Sequence, residues 1–569
     1  MKTNFKVALK FTFVGLSSFF FSSCSTELPT LNALIAQDFM RNVTTVKFSE
    51  SADVAAALAP YDKVDNTVVT IDGPDADAVY NLTGYKSFKI QAGAIGLLLD
   101  PKKDFTDKDS YKVNLNFEKA GYLPQIIPIT FYKEKPDGLV LVKLFKIPVL
   151  KPGIPAIIKE EGVDIAAIIQ QKGSINGNGL TAPLVIIADP DAALDSNIVT
   201  STTLTIPASI QMADESGKPL VGSLVITLIS FSEEGKSTAL FPGGLFPEEV
   251  TLENGSKVTG GLFVSAGFAS ITMTVNGVPV KYFNGQSITI RIDISKSAVN
   301  PENLKPFKAG DKIDVWSYDE TQGNWAFQTN GTVQGTADDL YVEFTTDHLC
   351  YFNLGFFQDS TAKCEDSSLK IIWAGTDETA PVQCRLEFSY TDGTDAGEWN
   401  QLYDTMDEFI YDGKEIVLKN VPRRPVQVEI YNLVEGTKLG IYKFGENSIC
   451  GGNQSITINE DAPVPGPTVT CTYTAKCPQG YDVLPPVGSM VYFKEEGNTY
   501  YSLLYTVTTE NKSNSAFITD RLIEGKTYNF LTYTGGILKP QEQTHTITLD
   551  SNNEFHLDFI LPKSVCPTQ

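Results

Sequence analysis

Histidine is nearly missing from this 569-residue chain. Only His348, His545 and His556 occur, far apart, and no Cys-x-x-Cys or His-x-x-x-His spacing accompanies them. A structural zinc site needs clustered Cys and His ligands, so these absences argue against one. Gly-x-Ser-x-Gly is also missing, which removes the strained elbow that exposes a hydrolase serine. Positive charge is scarce: 45 Lys and Arg stand against 68 Asp and Glu, a net charge of -23. Such a chain repels phosphate backbones, which excludes nucleic acid as a partner and leaves a slight lean toward cations. Beyond residue 23 no apolar run approaches the ~20 residues that span a bilayer. The most apolar stretch, "GLVLVKLFKIPVL" (138–150), is short and carries lysines. Cysteine is absent from 25 to 349.

What is present begins with Lys2, Lys6 and Lys10 ahead of an apolar run, Phe11 to Phe21, that ends in Ser22-Ser23-Cys24. This layout reads as a signal peptide over 1–23. The small residues before Cys24 resemble a bacterial lipobox, and the N-terminus resembles those of Bacteroidota lipoproteins. That resemblance implies lipidation of the Cys24 thiol, a tether over 24–44, and a body held at the membrane by its lipid. Several acyl chains on one residue exceed the marginal anchoring of a single chain. Ser25, with no Asp beside it, points to the outer membrane, at the cell surface or on its periplasmic face.

The remainder is rich in Thr, Val, Ile, Tyr and Phe and punctuated by 44 Gly and 31 Pro, which are strand and turn residues. We expect an all-β chain of tandem sandwiches, immunoglobulin-like or transthyretin-like. The first, 45–150, contains "TVVTIDG", "SFKIQAG" and "NFEKAGYLPQIIPITF"; the last of these resembles carboxypeptidase regulatory-like, transthyretin-like domains. The second, 160–360, contains "FPGG", "FVSAGFASITMTVNGVPV", "AGDKIDVWSYDETQGNW" and "DHLCYFNLGF" in that order. This succession resembles a β-domain of cartilage intermediate layer protein ectodomains, which implies a structural or interaction role. A third sandwich is expected over 361–460, a Pro-rich linker over 461–469 and a last sandwich over 466–569. The pieces share no fixed period, which predicts unlike units and no solenoid.

Seven cysteines lie beyond Cys24. In an oxidising compartment those bracketing each C-terminal unit suggest bridges: Cys364 with Cys450, and Cys566 with Cys471 or Cys477. Cys350 and Cys384 sit within strand patterns and read as buried thiols, and His348 reads as structural. A Gly-Lys-Ser in "SEEGKST" (232–238) lacks the first glycine of a phosphate loop, because position 230 is Ser230. Acidic clusters lack the D-x-D-x-D-G register of a calcium loop. Asp100, Asp104, Asp107 and Asp109 are the best candidates for weak calcium binding, and no other cofactor is expected. Of the aromatics, Trp373, Trp399, Tyr500 and Tyr501 could stack on sugar rings, with Trp399 in the polar "DAGEWNQ" the most exposed candidate.

The segment "DVWSYDETQGNW" (314–325) sets two carboxylates, Asp319 and Glu320, between tryptophans. Adjacent strand residues point to opposite faces, which is poor geometry for a glycosidase pair. A hairpin explains the segment: Trp316 and Tyr318 on one strand, a turn containing Gly323, and Trp325 and Phe327 on the return. The leading expectation is a non-enzymatic structural, adhesion or assembly module that meets a protein partner. A glycan-binding lipoprotein serving polysaccharide uptake is the alternative, and a hydrolase the second alternative.

Overall fold

The computed structural model describes residues 43–50, 61–81, 84–100, 103, 110–132, 138–160, 163–189, 200–231, 236–247, 249–295, 298–319, 323–336, 339–364, 367–374, 382–391, 400–418, 421–432, 437–445, 449–450, 454–459, 469–480, 482–483, 485, 489–496, 502–507, 516–519, 521–533, 541–550 and 554–560. Cys24, Asp104, Asp107, Asp109, Glu320, Trp399, Tyr500, Tyr501, Cys566 and the linker residues 461–468 lie outside the described residues. Among those described, every regular element is a strand apart from four short 3-10 turns, and no helix is long and apolar enough to cross a membrane. The fold is all-β and built of tandem sandwiches.

The first unit has seven principal strands: Val43–Ser49, Val68–Asp72, Phe88–Lys89, Ala94–Leu99, Ser110–Phe117, Gln125–Tyr132 and Gly138–Lys143. The first strand lies between the fourth, antiparallel to it, and the seventh, parallel to it; the facing sheet runs third-second-fifth-sixth. Phe48, Leu97, Leu115, Phe117 and Phe131 fill the space between the sheets.

The same arrangement returns twice. In the third unit Ser367–Trp373 lies between Glu415–Leu418 and, in parallel, Gln454–Ile458; Asn400–Ile410, Val382–Thr391, Val426–Asn432 and Thr437–Phe444 form the facing sheet in that order. In the fourth, Val469–Lys476 lies between Ala516–Thr519 and, in parallel, Glu554–Ile560. There the facing order is Ser502–Thr506, Met490–Glu495, Thr527–Tyr533 and Gln541–Thr546. The expectation of unlike units is therefore corrected: three of them share one topology. The likeness does not surface as a sequence period because pairing order depends on alternating burial, which many residue sets satisfy.

The central unit differs. An 11-stranded sheet faces a five-stranded one, and their inner faces meet in one core that includes Ile226, Ile271, Met273, Ile290, Phe344 and Phe352. Ile288–Ile294 alternates buried and half-buried positions, as a strand with one covered face should. Leu262–Val275 instead buries ten successive residues. Its Ala266, Ala269 and Ile271 meet the facing sheet, whereas Leu262, Phe263 and Phe268 enter a second, aromatic cluster. Both faces of that strand are covered, which is why "LFVSAGFASI" does not alternate.

In the third unit Cys364 and Cys450 are bonded, with 5.5 Å between their Cα atoms and a sequence separation of 86. Closing a loop of that length restricts the unfolded chain by on the order of 4 kcal/mol. Replacing both cysteines by alanine should lower the thermal midpoint of the full chain's third-unit transition, as followed by circular dichroism. An unchanged midpoint would show that the sandwich core alone holds the unit.

Candidate functional site

The tryptophan hairpin is the centre of a joint. Lys312–Asp319 and Asn324–Thr332 pair with Tyr318 opposite Trp325 and Asp319 opposite Asn324, and a register shift between Val315 and Trp316 bends the first strand. Trp316, Ser317 and Tyr318 are consequently all buried. Each indole N–H finds a backbone acceptor: Trp316 Nε1 donates to Gly355 O at 2.9 Å and Trp325 Nε1 to Pro242 O at 3.0 Å. Phe241 stacks on Trp325 at 4.7 Å and Tyr318 meets it edge-on at 5.3 Å. The rings are packing elements with no face open to a sugar. Asp319 is exposed at the strand end.

The first unit is fastened to this hairpin by Asn114, a buried residue of Ser110–Phe117. Its Nδ2 donates to the Tyr318 hydroxyl and to the Gly323 carbonyl, both at 3.0 Å. Gly323 has φ +68°, and a Cβ there would stand 2.5 Å from Asp72 Oδ1 and 2.7 Å from Gly73 N. Only glycine suits both the left-handed turn and the close approach of the two units. Leu123 and Phe145 of the first unit enter the same aromatic cluster as Trp316 and Trp325.

On the other side the third unit is fastened where Leu262–Val275 carries a bulge between Ser265 and Phe268. Gln401, with no exposed surface, donates from Nε2 to Ser265 O at 2.5 Å and accepts from Ser265 N at 3.2 Å. The side-chain amide thus takes the place of a strand neighbour. Tyr390 donates to Phe263 O at 3.0 Å, and Thr238 to Leu402 O at 3.0 Å. Thr238 is therefore part of the joint, and beside it Ser237 donates to Ile165 O within the central unit at 2.8 Å.

Where the three units meet lies a cleft of about 450 Å³, within the size range of small-molecule sites. Lys112 and Asn114 line it from the first unit, Phe246, Glu249 and Trp325 from the second, and Tyr403 and Asp404 from the third. Glu249 holds Lys257 at 2.7 Å and accepts from Asn324 at 3.0 Å. Tyr403 stacks on Tyr390 at 4.9 Å and meets Phe246 at 5.3 Å, yet its hydroxyl is buried without a hydrogen-bond partner. Burial raises the Asp404 carboxyl to about 6, against the pull of the Thr405 N–H that it accepts at 2.9 Å. Lys363 Nζ stands 5.6 Å over the Phe246 ring, its pKa lowered by burial and by the charge of Lys112.

The sequence-derived candidates lie elsewhere. Trp373 is 3% exposed in the core of the third unit; its place as a stacking platform is corrected, because both ring faces are occupied by packing. Cys350, Cys384 and Cys471 are buried thiols outside any bridge, and burial pushes the Cys471 thiol up to about 12. Cys477 is disulfide-bonded. His348 is half-buried, 3.2 Å from the Thr346 hydroxyl. The Asp100 backbone N–H bonds Ala78 O at 2.7 Å. One grouping was not singled out in sequence: Asp550, Glu554 and His556 bring ligand-type atoms within 4.8 Å of one another on the surface. The Glu-x-His spacing, which places two side chains on one strand face, was its available signal. The cleft itself had none, since its residues come from segments up to about 300 positions apart.

No family model and no curated protein matches the chain. Among solved structures it is similar to a streptococcal ancillary pilin (11% identity over 46% of this chain and 95% of that one, TM-score 0.12). It is also similar to two B repeat units of the collagen binding protein of Staphylococcus aureus (10% identity, 91% and 98%, TM-score 0.12). A third is the full-length major pilin RrgB of Streptococcus pneumoniae (9% identity, 91% and 99%, TM-score 0.11). Scores this low carry no argument about this chain, whose all-β class is read from its own strands.

Two outcomes test the joint. Gln401→Ala leaves a buried N–H and C=O of Ser265 unsatisfied and should cost about 1–3 kcal/mol in denaturant unfolding; no loss would mean that water replaces the amide. The Asp404 carboxyl is raised in the folded state, so folding binds its proton between the unfolded pKa near ~4 and about 6. Stability should fall as pH rises through that window, and Asp404→Asn should flatten this part of the profile. An unaltered slope would place the carboxyl in water.

Proposed function

We propose that this chain is a non-enzymatic protein of the bacterial cell envelope, lipid-anchored through Cys24 at the outer membrane, that acts as a structural, adhesion or assembly module. The observation that carries this reading is the hydrogen-bonded joint: Asn114 and Gln401 bind the first and third units to the central one. A body fastened at both seams holds its outer loops and sheet edges in fixed relation, which is what presentation to a protein partner requires. A hydrolase would need convergent carboxylates. Asp404 shares the cleft with Glu249, but Glu249 is already committed to Lys257 and Asn324, which leaves Asp404 without a second free carboxylate there, and Asp319 projects from the hairpin end.

Cys24→Ala should release the protein from the membrane fraction and abolish incorporation of labelled fatty acid. Cross-linking on intact cells should give discrete adducts with the anchored protein. Release of reducing ends from any polysaccharide by the purified full chain, lost in Asp404→Asn, would overturn the non-enzymatic reading.

A further inference from the structure

The cleft at the triple junction is lined by charged, polar and aromatic groups that could hold a ligand. Its fixed charges are unevenly placed. Lys112 projects from the first unit, and among the described residues no carboxylate sits within ion-pair distance of its Nζ. Lys363, close enough for its pKa to be lowered by Lys112, stands over the half-buried ring of Phe246. In a chain of net charge -23, an ammonium group with no carboxylate at ion-pair distance, as at Lys112, attracts one anionic group into the cleft. The opposite wall is different. Asp404 has no cation paired to it among the described residues, Glu249 is paired with Lys257, which also lines the cleft, and Tyr403 lines it with a hydroxyl buried just behind the wall without a partner. A buried hydroxyl without a partner costs free energy until something bonds it.

We propose that this cleft binds an acidic sugar, a uronic-acid residue at the end of a glycan or within it. The sugar carboxylate faces Lys112, its hydroxyls donate to Asp404 and exchange hydrogen bonds with Tyr403, and one C–H face of the ring lies on Phe246. Each part of the ligand answers a part of the site. One carboxylate matches the cationic corner, whereas a phosphate or sulfate polyanion would meet the unpaired Asp404 at close range. Hydroxyls are the donors that a wall of acceptors needs. An aromatic side chain set among polar groups suits a ring that is polar at its rim and apolar on its face. About 450 Å³ accommodates one or two sugar rings. The assignment rests on the cleft alone and does not depend on the lipid anchor or on a protein partner.

The test is isothermal titration calorimetry of the full chain with digalacturonic acid and with its neutral counterpart, galactobiose. The acid should bind at least tenfold more tightly, the scale of one charge-assisted hydrogen bond. Lys112→Gln should remove that preference while leaving the neutral sugar's affinity unchanged. Tyr403→Phe should weaken both sugars about fivefold and, because it removes a buried orphan, should not lower the melting temperature. Equal affinity for the two sugars, an acid affinity unmoved by Lys112→Gln, or no heat from either sugar at millimolar concentration would each overturn the proposal.

Discussion

Burying a peptide group without a partner is the cost that shapes this molecule. Two irregular places of the central sheet lie at the joints, the Gly323 turn at the tip of the tryptophan hairpin and the bulge at Ser265, and at both the backbone leaves the regular ladder. Each is completed by an amide side chain from a neighbouring unit: Asn114 donates to the Gly323 carbonyl, and Gln401 both donates to and accepts from Ser265. An amide is suited to this task because it carries the donor and acceptor set of a peptide. The neighbours therefore supply hydrogen bonds that the central unit lacks. The aromatic cluster between them excludes the water that would otherwise substitute.

The cleft follows from the same construction. Gly243 and Gly244, both with positive φ, carry the chain past Asn114 and Pro128, and side chains there would fill the space. Because its walls belong to three units, each wall brings its own chemistry: an unpaired lysine from the first, aromatic rings and a lysine–glutamate pair from the second, a tyrosine and an aspartate from the third. The field inside is uneven, and that unevenness is what selects an oriented ligand.

Much of the fold was legible in the sequence. Alternation marks Ile288–Ile294 as a strand with one covered face, and turn chemistry around Gly323 marks the hairpin. The non-alternating "LFVSAGFASI" gave no such reading; that both its faces are covered is seen only in the ten successive buried residues of the folded strand. The shared topology of the first, third and fourth units was hidden because strand order is written in burial and not in residue identity. Trp373 misled because an indole in a strand looks the same whether it packs inward or faces solvent; the neighbours that bury it, such as Leu386 and Ile456, are distant in sequence. The cleft was illegible for a related reason. Asn114 and Gly323 are each unremarkable until the fold places them 3.0 Å apart.

Amide side chains that complete the central sheet should make the first three units behave as one body. Differential scanning calorimetry of the full chain, compared with an Asn114→Ala/Gln401→Ala variant, reads this directly. Joined units should unfold in a single cooperative transition that separates into two or more in the variant. If the unaltered protein already unfolds through separate transitions for the first, central and third units, the joint does not couple them and the account is wrong.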